Sequence, residues 1–144
     1  MKKLGTILAA TAIALTLTGC TTGNDADTAD ETPTLDSIEA VDTHIADTYG
    51  GSAELNDGDL SVTLDSRGTE LQDQDATLKA LQDIGTATSL DYTTATITLT
   101  ADNGAGCGHR YDADTVSEIA TADTAEIVVT DIWDHAETST PCTY

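Results

Sequence analysis

Phenylalanine is absent from these 144 residues, tryptophan occurs once, tyrosine four times, and lysine and arginine together five times. With so few rings the core must be built from Leu, Ile and Val, which makes it small. With so few cations, a surface carrying 26 aspartates and glutamates repels phosphate backbones and anionic headgroups. Nucleic acid and direct peripheral membrane binding are therefore disfavoured. A cationic ligand or a cationic envelope protein is the partner such a surface suits, although solubility alone explains a carboxylate-rich exterior. Long apolar runs are missing as well. The mostly apolar stretch from Leu4 to Leu17 is interrupted by threonines and falls below the roughly 20 residues that span a bilayer comfortably. No later segment competes with it, so the body of the chain reads as soluble.

What the N-terminus does have is the three zones of an export signal: Lys2 and Lys3, the apolar stretch, and the short polar close Thr18-Gly19. The tetrapeptide Leu17-Thr18-Gly19-Cys20 resembles the lipobox of bacterial lipoproteins, and the resemblance covers residues 1–20 alone. It implies a signal peptide at 1–19, cleavage before Cys20, and a diacylglycerol on the Cys20 thiol. The protein would then be anchored through its lipid on the extracytoplasmic face of the cell membrane. Each buried methylene of such a lipid contributes about 0.8 kcal/mol, so anchoring asks nothing of the folded part. Removing the signal would leave three basic residues, Arg67, Lys79 and Arg110, against 26 acidic ones, a formal charge of −23.

From Thr21 to Thr34 no aliphatic side chain exceeds alanine and no periodicity appears, so residues 20–34 read as an acidic, Thr-rich disordered tether behind the lipidated cysteine. Its reach is at most about 50 Å. Residues 35–144 are one small domain's worth of chain. Leu35, Ile38, Val41, Ile45 and Tyr49 recur at helical spacing, with Gly50-Gly51 after them. Ala53 to Leu55 and Leu60 to Ser66 flank Asn56-Asp57-Gly58-Asp59, which predicts a β-hairpin. A second helix is expected on Leu71, Leu78, Leu81 and Ile84, ending at Gly85. Between Tyr92 and Ala101, Ala95, Ile97 and Leu99 alternate with threonines, which suit a wet sheet face. Asp114 is the expected cap of a short helix with Val116 and Ile119 inward. Ala125 to about His135 is apolar on both sides and predicts a central strand. The order α-β-β-α-β-α-β implies an α+β two-layer sandwich: a mixed four-strand sheet with helices packed on one face and threonines on the other.

If lipid takes Cys20, Cys107 and Cys142 remain as an even pair in an oxidising compartment, and a disulfide is the expectation. Placed past the ends of two parallel strands joined by the 115–122 helix, they would close about 35 residues. The same neighbourhood offers a different chemistry. Cys107, His109, His135 and Cys142 would present two thiols and two imidazoles, a soft-metal set, though without the close paired spacing of a zinc ribbon. A third reading makes Cys107, near His109, the nucleophile of a small Cys-dependent envelope enzyme. Against that reading, Gly104-Ala105-Gly106-Cys107-Gly108 lacks the first glycine of a nucleophile elbow, and it lacks the Lys-Ser/Thr ending of a phosphate loop. The acidic pairs Asp57/Asp59, Asp73/Asp75 and Asp112/Asp114 lack EF-hand spacing. His44, on the first helix, reads as a surface residue. No cofactor motif is present, and the balance favours a non-enzymatic, membrane-anchored binding or interaction module.

Overall fold

A computed structural model of the chain describes residues 34–123 and 127–144. The lipobox and almost all of the tether lie outside the described residues. The stretch Thr32–Tyr144 forms one compact unit.

The first helix, α1 (Ile38–Tyr49), starts where the Ser37 hydroxyl accepts the Ala40 N–H at 3.2 Å. It stops at Gly50, whose φ of 78° closes the last turn with an N–H bond to the Ala46 carbonyl. Val41, Ile45 and Tyr49, one turn apart, are its buried stripe. The hairpin β1 (Ser52–Asn56) and β2 (Asp59–Asp65) follows as the sequence predicts. Asn56 pairs with Asp59 across a two-residue turn in which Asp57 and Gly58 both have positive φ, 50° and 83°, matching the right-handed twist of the strands.

Helix α2 (Glu70–Gly85) crosses back so that β3 (Thr94–Thr100) lies parallel to β2, with Val62 opposite Ile97. One sequence expectation for α2 needs correction. Leu71 is 59% exposed. It stands about 120° around the helix from Thr77, the middle of the buried stripe, and the inward place in the first turn goes to Asp73. Gly85 is the last residue of the helix, where the sequence places its end. A Cβ there would overlap the Ala120 Cβ and come within 3.0 Å of the Val116 carbonyl oxygen, so this glycine lets α2 touch α3 (Ala113–Thr121).

The largest departure lies in the second half of the chain. The sheet is open and mixed, with β4 (Gly106–Asp112) and β5 (Thr138–Thr140) completing five strands in the order β1-β2-β3-β4-β5, and every neighbouring pair is antiparallel except β2 and β3. The place beside β3 goes to β4, a segment the sequence presents as a glycine-rich loop. The expected central strand from Ala125 to His135 is not there. Residues 124–126 lie outside the described residues, and Val129–His135 is a 3₁₀ helix that buries Ile132 and leaves Val128 exposed. Val129 and Ile132, three residues apart, fall on the same side of a helix with three residues per turn. With β4 already paired to β3, the segment packs over the core instead. The last strand, β5, has three exposed residues at the sheet edge. Asp112 caps α3 in place of Asp114. Its carboxylate accepts the Thr115 N–H at 2.7 Å and hydroxyl at 3.0 Å, and the first of these holds its carboxyl below the usual range.

Paired residues place Val62, Ile97 and His109 in one row of one face, and all nine alternate residues of β2, β3 and β4 on that face are buried. The helices cover that side. The four threonines of β3 occupy the other side, as expected.

Candidate functional site

In β4 the buried positions are Cys107, His109 and Tyr111, while Gly106, Gly108 and Arg110 take the opposite face. Strand alternation therefore carries a cysteine, a histidine and a tyrosine into the core. Tyr111 donates its hydroxyl to the Ile132 carbonyl at 3.2 Å, and burial pushes its ionisation well above the usual range. Antiparallel pairing of β5 sets Ser139 opposite His109. Past β5, Cys142 lies against Cys107 at bonding distance, the two forming a disulfide with Cα atoms 4.6 Å apart and 35 positions apart in the chain. The expected pairing is present, but its frame differs: Cys107 lies inside β4 and Cys142 past β5, and these two strands are antiparallel neighbours, so the connection through α3 is not a crossover between parallel strands.

His109 is 2% exposed. Its ring stacks on Trp133 of the 3₁₀ helix, with centroids 4.5 Å apart and planes 9° from parallel. Nδ1 meets the Ser139 hydroxyl at 3.1 Å and Nε2 faces the Cys142 sulfur at 4.0 Å. The Ser139 hydroxyl also reaches the Trp133 carbonyl at 3.4 Å. A carbonyl can only accept, so when the serine proton goes there, the serine lone pair receives the Nδ1 hydrogen and Nε2 is left with a bare lone pair. Burial pulls the His109 ionisation down to about 4, which keeps the ring neutral near pH 7.

Of the four residues expected to gather as metal ligands, three do. The ligand atoms of Cys107, His109 and Cys142 all lie within 4.8 Å of one another. His135 is not among them. It ends the 3₁₀ helix and is exposed, because that segment is no strand delivering it to the same sheet end.

Beside the disulfide opens a groove of about 280 Å³, bordered by Glu70, Trp133, Asp134, Pro141 and Tyr144 with His109 at its base. Asp73, buried at the start of α2, lines a small cavity together with both cysteines and accepts the Arg67 N–H at 2.6 Å and the Ser66 hydroxyl at 2.7 Å. Desolvation, then the Asp73 carboxylate, raises the ionisation of the Tyr144 hydroxyl.

His44 is also more than a surface residue. Its Nε2 bonds Asp83 at 2.7 Å, and the same carboxylate oxygen accepts the Tyr49 hydroxyl at 2.6 Å, which ties α1 to α2. Burial and the Asp83 bond raise the Tyr49 ionisation. The acidic pairs are separately engaged: Asp59 with Thr94, Asp75 with Lys79, Asp112 with Thr115.

Sequence reasoning missed Ser139, Trp133 and Tyr144 as neighbours of the cysteines. The available signal was the alternation of 107, 109 and 111, masked by Gly106 and Gly108 on either side of the cysteine. No family model, curated protein or solved structure matches this chain. No helix among the described residues is long and apolar enough to cross a membrane.

Proposed function

We propose that this chain is a cell-envelope lipoprotein, cut before Cys20, lipidated there, and held on the extracytoplasmic face of a membrane. Residues 20–34 serve as its tether, and residues 35–144 act as a non-enzymatic binding module for a cationic partner. The observation that carries the proposal is the lipobox Leu17-Thr18-Gly19-Cys20 placed directly behind a Lys2-Lys3 start and an apolar run. Cysteine chemistry agrees with it. The chain has three cysteines, two of which are joined to each other, so Cys20 is the one left for a thioether.

Binding rather than catalysis is supported by the same bond. Cys107 is the nucleophile candidate nearest a histidine, its sulfur is engaged by Cys142, and the residue is 5% exposed. A cationic partner is supported by the excess of 26 acidic over five basic residues and by Glu70 and Asp134 flanking the Trp133 groove, where a cation gains from both carboxylate and indole.

Growth with labelled palmitate, followed by fractionation, tests the anchoring: label and protein should co-sediment with membranes, and Cys20→Ala should lose both. Label retained by the Cys20→Ala variant would sink it. The binding module is tested by crosslinking in intact cells. A basic envelope protein whose capture falls with added salt and with Glu70→Gln/Asp134→Asn is the expected result, and capture indifferent to both would refute it.

A further inference from the structure

We propose that Cys107, Cys142 and His109 form a zinc site that is open only when the two sulfurs are reduced, so that disulfide and metal are alternative occupants of one position. This inference is independent of the anchoring reading.

The geometry starts from His109 Nε2. Its ring is buried, its Nδ1 is occupied by Ser139, and its Nε2 faces a disulfide sulfur that has no hydrogen to donate. With the Ser139 proton on the Trp133 carbonyl, Nε2 carries the ring's lone pair and aims it at the Cys142 sulfur 4.0 Å away. A metal held by the same sulfurs would accept that lone pair.

The donor set fits zinc. Two thiolates and one imidazole, with a fourth position left to water, are a known pattern for Zn²⁺. With Zn–S at about 2.3 Å and Zn–N at about 2.0 Å, tetrahedral ligand atoms stand roughly 3.5–3.8 Å apart. Nε2 is already 4.0 Å from the Cys142 sulfur, and all three ligand atoms fall within 4.8 Å. The sulfurs must separate, and Cys142 can do this because it is half-buried and stands past β5. The groove at its side admits water to the fourth position. Two thiolate charges and one Zn²⁺ sum to zero, which suits a site in the core where a net charge would be costly. Ser139, on Nδ1, is the positioning residue that fixes the ring and its tautomer.

Both transformations balance. Two thiols and Zn²⁺ give a dithiolate complex and two protons. Oxidation of the same thiols passes two electrons and two protons to a disulfide acceptor, which becomes a dithiol, and the S–S bond closes the site. Each sulfur can do one or the other.

The test uses the full chain in detergent, reduced with a phosphine, desalted without air, and titrated with zinc chloride against a chromophoric chelator. One zinc per reduced chain is expected and none at comparable affinity for the oxidised chain. Cobalt in place of zinc should give thiolate-to-metal absorption. Cys142→Ser and His109→Asn should each weaken binding by on the order of 100-fold or more, and Ser139→Ala by about 10-fold. If reduction loosens the fold, zinc should restore it, as read by circular dichroism. Zinc held equally by the oxidised chain would place the metal on surface carboxylates and overturn the proposal. So would variants that bind like the reduced parent, or a reduced chain that zinc neither binds nor refolds.

Discussion

Cutting the bond between Cys107 and Cys142 should remove much of this domain's stability. In the chain-entropy account, joining residues 35 positions apart lowers the entropy of the unfolded chain by an amount equivalent to roughly 4 kcal/mol at room temperature. A domain of this size has about 5–15 kcal/mol in all, and a core without phenylalanine belongs near the low end. The segment inside the loop has few other ties near its end. β5 consists of three exposed residues, and the 3₁₀ helix before it is anchored mainly by buried Ile132, by Gln74 donating to the Thr130 carbonyl at 3.1 Å, and by the Trp133–His109 stack. Cys142→Ser is the cleaner substitution, because Cys107 is buried and a serine there would add the cost of a hydroxyl in the core. With a urea slope of about 1.5 kcal/mol per M, the unfolding midpoint should fall by about 2–3 M. Metal-free reduced parent and the variant should unfold together, since both lack the same constraint. Equilibrium urea unfolding followed by circular dichroism measures this. A shift under about 0.5 M would mean that the loop is already held in the unfolded chain, and the entropic reasoning would fail.

Gly85→Ala should destabilise by about 1–2 kcal/mol despite alanine's better helix propensity, because the new Cβ overlaps that of Ala120, and Ala120→Gly should restore much of the loss. A single variant more stable than the parent in thermal unfolding would contradict the close crossing of α2 and α3. Asp73→Ala should cost about 3 kcal/mol, since the Arg67 N–H and the Ser66 hydroxyl lose a charged acceptor, while Asp73→Asn should cost less. Equal losses in the two variants would show that acceptor geometry is not what Asp73 supplies. In the oxidised, metal-free protein, His109 ionises near 4 when folded and near its ordinary 6.5 when unfolded. The unfolded chain therefore binds the proton first. The stability tied to a neutral ring is whole above about pH 6.5 and is lost as pH falls toward 4, by at most about 3 kcal/mol. The stability gap between parent and His109→Gln should narrow over that window in paired urea titrations, and a gap constant with pH would refute the assignment.

Local patterns decided the first half of the domain. The stripe Val41-Ile45-Tyr49 with Gly50 behind it, the Asp57-Gly58 turn between alternating strands, and the Ala95-Ile97-Leu99 alternation each fix an element through contacts a few residues long, so each was legible without any partner in view. With Cys20 read as the lipid attachment point, the two cysteines left over likewise pointed to the Cys107–Cys142 bond. Residues 106–112 and 127–135 were different, because their state depends on competition for one place beside β3. Two glycines made Gly106–Asp112 look like a loop, yet a flat face of small residues is tolerated where the other face buries a cysteine, a histidine and a tyrosine. Once that strand pairs, Val129–His135 has no ladder to join and closes over the core as a 3₁₀ helix. The sequence by itself thus determined the elements whose signals are local, α1, the β1–β2 hairpin and β3, together with the pairing of Cys107 and Cys142. Only the tertiary structure decided that His109 is buried against Trp133 and the disulfide while His135 is exposed. Burial, unlike periodicity, depends on which distant segment arrives to cover a residue.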